Sequence, residues 1–139
     1  VYGTGDQKAS KKRNALQYLV GEVTNNRNIN LYDAGENIRD FMHVEDACRA
    51  INLVINRCPL NTIVNVGNGI PYKFVDLMGY VKEKTNSKSK FNTVEPPDFH
   101  KTVQVKDMYL DVVKLKNIGF KPKYNIWDGL DILMDNLRE

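Results

Sequence analysis

The chain has 139 residues, of which 42% are apolar and 27% are charged, and its formal net charge is +3, so its composition is that of an ordinary globular domain and excludes a low-complexity chain. No apolar run approaches the roughly 20 residues of a membrane span, and no signal segment opens the sequence. We therefore expect a single domain over residues 1–139, located in the cytoplasm and with no membrane partner.

The basic residues are scattered along the sequence, apart from Lys11 to Arg13 and the stretch from Lys82 to Lys90. Neither run interleaves with aromatic residues on one element, as a nucleic-acid-binding surface requires, and such runs are usually solvated faces. We expect no nucleic-acid partner. An anionic small molecule fits the charge better.

Cys48 and Cys58 are the two cysteines, and both fall in one predicted helix. Their separation corresponds to about 15 Å along the helix axis. A disulfide needs Cα atoms within roughly 7 Å, so the two residues cannot pair. Free thiols agree with a reducing compartment.

The first predicted elements are a helix and a strand. Apolar residues recur at helical spacing at Leu16, Leu19, Val20 and Val23. Two asparagines at 25 and 26 end this helix. A strand from Ile29 to Tyr32 follows, and it leads into a turn at 33–35.

The clearest helix runs from residue 45 to residue 58. Its apolar residues fall at i, i+3, i+4, i+7, i+8 and i+11, namely Ala47, Ala50, Ile51, Val54, Ile55 and Cys58. Glu45 and Asp46 lie in the first turn, where acidic side chains stabilise a helix, and Pro59 ends it.

A buried strand is predicted from Thr62 to Val66, because most of its residues are β-branched and a glycine turn at 67–69 closes it. A helix follows, with apolar residues at Phe74, Val75, Leu77, Met78 and Val81. The next strand runs from Phe91 to Val94, before a turn at 96–97.

Two helices complete the pattern. Asp111 is the predicted N-cap of a short helix that ends at Gly119. Asn125 caps a longer amphipathic helix, with Asp128 at its third position. Helices and short strands therefore alternate, which predicts an α/β fold with a small mixed or parallel sheet and about five helices.

Two motifs imitate a dinucleotide-dependent dehydrogenase. Gly67-x-Gly69 follows a predicted strand, but Tyr72 stands where the phosphate-binding fingerprint has its third small residue, so a plain strand-to-helix turn is favoured. Tyr80-x-x-x-Lys84 has the spacing of a catalytic pair in which lysine lowers the tyrosine pKa. Such pairs arise by chance in a lysine-rich sequence, so we assign no catalytic and no cofactor-binding residue.

The two histidines do not form a recognisable site. Neither His43 nor His100 has acidic or cysteine companions at metal-ligand spacing, and no Ser-His-Asp arrangement can be nominated. We predict no metal site, with His43 as a hydrogen-bonding residue at a strand end and His100 as a loop residue.

Arg39 is a lone arginine between a glycine turn and an apolar helix. Its planar guanidinium suits a diphosphate, which accepts hydrogen bonds from two parallel N–H groups. On physical grounds alone, an ion pair with Asp40 or Asp46 is the preferred role.

A series of motifs extends along the chain: Val1-Tyr2-Gly3-x-Gly5, Leu31-Tyr32, Gly35, Arg39-Asp40-Phe41, His43-Val44, Asp46 and Asn65-Val66-Gly67-x-Gly69. Their order resembles the extended short-chain dehydrogenase/reductases that act on nucleotide sugars, the NAD-dependent epimerase/dehydratase family. Residues 107–122 are similar to that family's closing pattern of Asp, Lys, Leu-Gly-Trp/Phe and Pro. The resemblance covers nearly the whole chain and implies the C-terminal portion of an extended Rossmann-type enzyme.

The resemblance implies substrate contacts at four positions. Arg39 is similar to the family's diphosphate-binding arginine, and Asn14 to its substrate-contacting asparagine. Tyr32 would pack near the nucleotide base, and Asp98 resembles the acid that binds the nucleotide ribose.

The sequence departs from the family at Glu95, where a second diphosphate-contacting arginine often stands. A carboxylate there repels phosphate, so the substrate is held differently or another cation, such as Lys101, substitutes.

The resemblance also implies that NAD(P) and the catalytic Tyr-x-x-x-Lys belong to an N-terminal Rossmann half that this chain lacks. The implied ligand is a nucleotide-diphosphate sugar, and the chain is expected to be inactive alone. The alternative is a freestanding nucleotide-binding or regulatory module that complements a separate Rossmann half. The strand predicted at 63–66 is apolar on both faces and needs cover, so we also expect self-association, for example as a homodimer.

Overall fold

The computed structural model describes residues 1–5, 14–103 and 105–137. These ranges contain six α-helices: α1 (Ala15–Thr24), α2 (Val44–Arg57), α3 (Phe74–Thr85), α4 (Asp98–Val103), α5 (Val113–Asn117) and α6 (Ile126–Asn136). They also contain five short strands: β1 (Ile29–Tyr32), β2 (Ile38–Arg39), β3 (Tyr72–Lys73), β4 (Phe91–Val94) and β5 (Asp107–Met108). The predicted fold class, α/β with a small mixed or parallel sheet, is confirmed.

The strands form two small sheets. β1 pairs with β4 in parallel, in the register Ile29 opposite Phe91 to Tyr32 opposite Val94. In the second sheet β2 lies between β3 and β5, antiparallel to the former and parallel to the latter. Both parallel pairs join segments that are far apart in sequence.

The large cluster is the core formed where α1, α3 and α6 pack around β1. Its buried members include Leu16, Val20, Val23, Ile29, Leu31, Leu77, Met78, Val81, Ile126, Leu130 and Leu133. The members from α1 and α3 are apolar positions that the sequence predicts for those helices. At the start of α6, Asn125 Oδ1 accepts from the Asp128 amide, and Asn125 Nδ2 donates to the Asp128 carboxylate, so the predicted cap is confirmed.

The small cluster lies under α2 and consists of Met42, Ala47, Ala50, Val112, Leu115 and Phe120. The helix predicted at 45–58 is confirmed as α2, but it turns mainly alanines inward. Ile51 is 50% exposed and Ile55 is 76% exposed. We call the exposed residues Val44, Cys48, Ile51 and Ile55, which recur at i, i+4, i+7 and i+11, the outer stripe of α2.

The strand predicted from Thr62 to Val66 is wrong. The segment is not part of either sheet, and Ile63 is 84% exposed, while Val64 and Val66 pack partly against the small cluster. β-Branched residues form a strand only where a neighbouring edge supplies hydrogen bonds, and no strand of the described ranges pairs with this segment.

Two smaller predictions need correction. His100 lies in α4, not in a loop, because the residues after Pro97 form a short helix whose first bond runs from the Lys101 amide to the Pro97 carbonyl. The N-cap of α5 is Val112, although Asp111 Oδ1 does accept from the Val113 amide. The left-handed Gly119, with φ of +96°, follows α5 as predicted.

No helix in the described part of the chain is long and apolar enough to cross a membrane.

Candidate functional site

A cleft of about 940 Å³ opens between the start of α1, the C-terminal end of β1 and the segment that leads into α4. Three of the four predicted substrate contacts, Asn14, Tyr32 and Arg39, line this cleft. Asp98 does not, although its neighbours Pro97 and Phe99 do. The structure therefore brings together residues 14, 32 and 39, which are separated in sequence, and leaves out the fourth.

Arg39 is held by backbone carbonyls. Its Nη1 donates to the carbonyls of Ile38 and Lys106 at 2.7 Å each, and its Nη2 donates to the Val105 carbonyl at 2.9 Å. The ion pair with Asp40 or Asp46 that physics alone favours is not formed among the described residues. A guanidinium has five N–H donors, so these three bonds fix its orientation and leave capacity for an anion in the cleft.

Asp40 occupies the turn that the Gly67-x-Gly69 motif builds. Its carboxylate accepts from the amides of Asn68 at 3.1 Å, Gly69 at 2.8 Å and Leu110 at 3.3 Å. A Cβ on Gly67 would lie 2.7 Å from Asp40 Oδ2, which explains why glycine stands there. The amides that could cradle a phosphate are thus taken by a carboxylate, and this turn does not fit the pyrophosphate of a dinucleotide.

Asn14 is the N-cap of α1. Its Oδ1 accepts from the Gln17 amide at 3.3 Å, and its Nδ2 donates to Gln17 Oε1. The same Gln17 oxygen accepts from the amide of Gly3 at 3.4 Å, which joins the first residues of the chain to α1. These bonds position the Asn14 amide at the cleft.

Tyr32 and α4 form an aromatic wall of the cleft. The rings of Tyr32 and His100 are 5.6 Å apart with a 39° angle between their planes, and Phe99 stands beside His100 at 5.9 Å. Offset ring surfaces of this kind suit a planar heterocycle. His100, which the sequence placed in a loop, is therefore part of the cleft lining.

The acidic residues near α4 are exposed and share one lysine. Lys101 Nζ lies 3.0 Å from Glu95 Oε2 and 4.0 Å from Asp98 Oδ1. These pairs contribute little to stability in solvent. Lys101 nevertheless has its charge balanced by carboxylates, which weakens the idea that it replaces the family's second arginine.

Tyr80 and Lys84 lie on α3 away from the cleft lining. The Tyr80 hydroxyl donates to Asp131 Oδ1 at 2.8 Å, and Lys84 Nζ lies 3.8 Å from Asp131 Oδ2. Burial, followed by the bond to Asp131, raises the pKa of Tyr80. A general base of the dehydrogenase type needs a lowered pKa, so this pair does not fit that chemistry.

Asn37 is a cleft residue that the sequence reasoning did not single out. It lies between Gly35 and Arg39, where an asparagine is typical of a turn. What distinguishes Asn37 is its burial, since it is only 5% exposed. The sequence alone does not predict that a polar residue in a turn is buried.

Residues 1–67 match the model of the NAD-dependent epimerase/dehydratase family. The chain is 26% identical over 137 residues to a putative GDP-L-fucose synthase 2 of Arabidopsis thaliana, covering 94% of this chain and 40% of the relative. It is 24% identical over 130 residues to a putative UDP-glucose 4-epimerase of Methanocaldococcus jannaschii, covering 94% and 40%. The chain thus spans about two fifths of the length of these relatives.

Solved structures have the same fold. The UDP-glucose 4-epimerase of Thermus thermophilus in complex with NAD superposes with a TM-score of 0.80 at 21% identity, covering 99% of this chain and 43% of that one. The UDP-glucose 4-epimerase of Thermotoga maritima with UDP-glucose gives 0.76 at 24% identity, covering 86% and 38%. The resemblance that the motifs indicated is confirmed, for a part of the length of those proteins.

Proposed function

We propose, from the relationship of residues 1–67 to the NAD-dependent epimerase/dehydratase family, that this chain is the nucleotide-sugar-binding portion of such an enzyme. In this proposal the cleft holds the nucleoside diphosphate, with Arg39 on the diphosphate, Tyr32 beside the base and Asn14 near the sugar. NAD(P) supplies the hydride chemistry from a part of the enzyme outside this chain. The residues of this chain bind and orient the ligand.

The observation that carries the proposal is the convergence of Asn14, Tyr32 and Arg39 on one cleft of about 940 Å³. Small-molecule sites are concave and combine apolar walls with a few fixed polar groups. Here the aromatic wall offers a stacking surface, and the guanidinium, already oriented by three carbonyls, offers its remaining donors. Asp98 is left out of this version of the site, because it does not line the cleft.

Calorimetric titration of the isolated chain with UDP, dTDP and GDP tests the proposal. At least one should bind, and Arg39→Ala should weaken that binding by roughly 10- to 100-fold, because a charge-assisted hydrogen bond contributes about 1.5–3 kcal/mol. Arg39→Lys should recover only part of the loss, since an ammonium lacks the planar fork.

Arg57 provides the matched control. It too is an arginine that donates to a backbone carbonyl, that of Ile118 at 3.2 Å, but it does not line the cleft. Arg57→Ala should bind as tightly as the unmodified chain. Equal affinities of the Arg39 and Arg57 variants, or no binding of any of the three nucleotides, would contradict the proposal. Turnover of a nucleotide sugar by the isolated chain with NAD would contradict the proposal that the catalytic residues lie outside this chain.

A second proposal concerns how the chain works with the rest of the enzyme, either in one polypeptide or as a separate module. The outer stripe of α2 and the segment at 60–63 leave Ile51, Ile55, Leu60 and Ile63 at least half exposed. Exposed apolar surface of this extent favours a packing partner, which we infer to be the NAD-binding part.

A chimaera tests this second proposal. In this chimaera, the residues of the Methanocaldococcus jannaschii relative that match this chain are replaced by it, and the rest of that relative's sequence is kept. A single cooperative unfolding transition is expected, and Ile51→Asp with Ile55→Asp should split it in two. The same double change should leave the isolated chain's stability nearly unaltered. Independent melting of the two parts in the unmodified chimaera would rule out this packing.

A further inference from the structure

Of the two histidines in the sequence, His100 is the one at the cleft. His43 is 5% exposed and does not belong to the lining, whereas His100 is exposed and lines the cleft. The ring of His100 lies 5.6 Å from that of Tyr32, which lines the same cleft. Neither ring nitrogen of His100 takes part in a hydrogen bond among the described residues. The imidazole is therefore open to solvent and able to donate to a ligand.

The fixed charges of the cleft lining cancel. Among the described side chains that line it, Arg39 and Asp40 carry a charge at every pH between 5 and 8, and the two charges have opposite signs. The diphosphate of a nucleotide sugar carries two negative charges, and one guanidinium balances only one of them. A second cation at the lining would complete the balance, and a protonated imidazole is such a cation.

Lys101, the neighbour of His100 on α4, does not supply this charge. It is absent from the cleft lining, and its Nζ lies 3.0 Å from Glu95 Oε2 and 4.0 Å from Asp98 Oδ1. These three exposed groups are the charged neighbours of His100 on its own segment, and their charges sum to minus one. Solvent screens them. From β1 the group that faces His100 is the phenol of Tyr32, which is uncharged in this pH range.

The segment that carries His100 also orients Arg39. The guanidinium donates to the carbonyls of Val105 and Lys106, just beyond the end of α4 at Val103. His100 precedes Val105 by five residues, a stretch that spans at most about 17 Å when extended and less where it is helical. The imidazole and the guanidinium therefore border the cleft from neighbouring positions, and one diphosphate can be shared between them.

We propose that His100 is the second cation of the cleft and that its protonation makes the affinity for a nucleotide diphosphate depend on pH. This inference rests on the proposed nucleotide-binding function and deepens it by naming how the same site is regulated. Histidine is the side chain that changes its charge between about pH 5 and 8. As the pH falls through this range, the imidazolium forms and donates to the phosphate oxygens, so the affinity rises. At higher pH, Arg39 holds the diphosphate without it.

Calorimetric titration at about pH 5.5 and about pH 8 tests the proposal, with UDP-glucose, dTDP-glucose and GDP-mannose as ligands. Nucleotide sugars are used because the terminal phosphate of free UDP also changes its charge in this range, whereas a diphosphate esterified at both ends does not. At least one ligand should bind roughly three- to tenfold more tightly at the lower pH. High salt should reduce this difference, because it screens the added charge.

Three changes of His100 separate its charge from its ring. His100→Gln stays neutral and should bind at both pH values as weakly as the unmodified chain does at about pH 8. His100→Arg stays charged and should bind at both as tightly as the unmodified chain does at about pH 5.5. His100→Phe keeps a ring without a charge and should lose the pH dependence and the tighter binding.

His43 provides the matched control. His43→Asn keeps an acceptor for the Glu45 amide at the start of α2 and should retain the full pH difference. Val1 also lines the cleft, and its amino group is common to all variants, so the contrast between the unmodified chain and His100→Gln isolates the imidazole. Circular dichroism at both pH values checks that each variant folds.

The outcomes separate this inference from the proposed function. If a nucleotide sugar binds in an Arg39-dependent way but equally tightly at both pH values, or if His100→Gln keeps the difference, the role of His100 is wrong and the cleft remains a nucleotide site. Equal binding by His100→Phe and the unmodified chain at both pH values would show that the ring only stacks, which also overturns the inference. If none of the three ligands binds at either pH, the proposed function itself is wrong.

Discussion

The large and small clusters differ in what their helices bury. In the large cluster, α1, α3 and α6 turn leucines, valines and isoleucines inward around β1. At the small cluster, α2 buries Ala47, Ala50 and Asp46, packs Leu53 and Val54 only partly, and leaves Ile51 and Ile55 in solvent. Burial of apolar area stabilises both regions, and at α2 a buried carboxylate bonded to backbone amides adds to it.

This contrast shows that a helical pattern of apolar residues predicts a helix but does not predict which of those residues the rest of the chain buries. α2 has the clearest pattern in the sequence, yet Ile51 and Ile55 on that pattern are exposed. Asp46, a charged residue of the same helix, is fully buried. The Asp46 carboxylate accepts from the amides of Lys123 and Tyr124 and pairs with Arg49.

The largest expected effect is on the large cluster. Leu77 on α3 is 0% exposed, and Leu77→Ala should lower the free energy of unfolding by about 4 kcal/mol, through lost transfer energy and the cavity left behind. Ile55→Ala removes similar atoms from an exposed site of α2 and should cost less than about 0.5 kcal/mol. Urea unfolding measures both. Equal losses would show that α2 is covered after all.

The next effect is on the small cluster. Asp46→Ala should cost about 3 kcal/mol, because it leaves two backbone amides without their charged acceptor. The adjacent Glu45→Ala is the control: Glu45 is exposed, so the loss should stay below about 1 kcal/mol. Thermal and urea unfolding of the two variants compare them, and a harmless Asp46→Ala would remove the distinction between the clusters.

Alkaline pH should act on the large cluster through Tyr2. Burial, and next the nearby Asp46 charge, raises the pKa of Tyr2 above its ordinary value of 10.0. The folded chain therefore keeps the phenolic proton more tightly than the unfolded chain. The stability from this group is complete below pH 10 and is lost above it, by at most about 1.4 kcal/mol per pH unit.

Tyr2→Phe removes this titration. Urea unfolding between pH 8 and 11 should show a shallower decline for Tyr2→Phe than for the unmodified chain. Tyr80, whose pKa burial also raises, leaves a smaller decline in both. Parallel pH profiles for the two proteins would exclude Tyr2 as the source.

The smallest effect on stability is expected on the outer stripe. Ile55→Lys should change the free energy of unfolding by no more than about 0.5 kcal/mol, because the side chain is in solvent. It should, however, reduce self-association of the isolated chain in sedimentation measurements, since the apolar surface there would otherwise be covered by a second copy. If the unmodified chain is strictly monomeric at high concentration, a second copy does not cover the outer stripe.

The sequence predicts those elements whose determinants are local. Strands β1 and β4, helix α2 and the Asn125 cap follow from periodicity and capping residues within a few positions. The strand predicted at 62–66 is wrong because a strand forms only by pairing with the edge of another strand, which can lie far away in the sequence. The sequence suggested an anion or a neighbouring acid as the partner of Arg39, but two of its three carbonyl partners lie 66 and 67 residues away, beyond any local rule.

The candidate site likewise combines residues that local motifs predict with features that only the folded chain shows. The motifs pointed to Asn14, Tyr32 and Arg39, and the fold places all three in one cleft. The assigned roles of these residues and of Asp98 stay predictions. Asn37 was missed because its burial at the cleft is a property of the packed chain rather than of its sequence neighbourhood.

The two parallel strand pairs also determine when the cleft forms. Ile38 in β2 donates to Asp107 in β5 across 69 residues, and the Arg39 guanidinium depends on carbonyls in the same distant segment. Contacts of such long sequence separation require the closure of large loops and therefore tend to form late in folding. A chain emerging from the ribosome can fold α1 and α2 early but has no cleft until residue 108 is free. A nucleotide that fills the cleft should accordingly slow unfolding and leave the folding rate nearly unchanged.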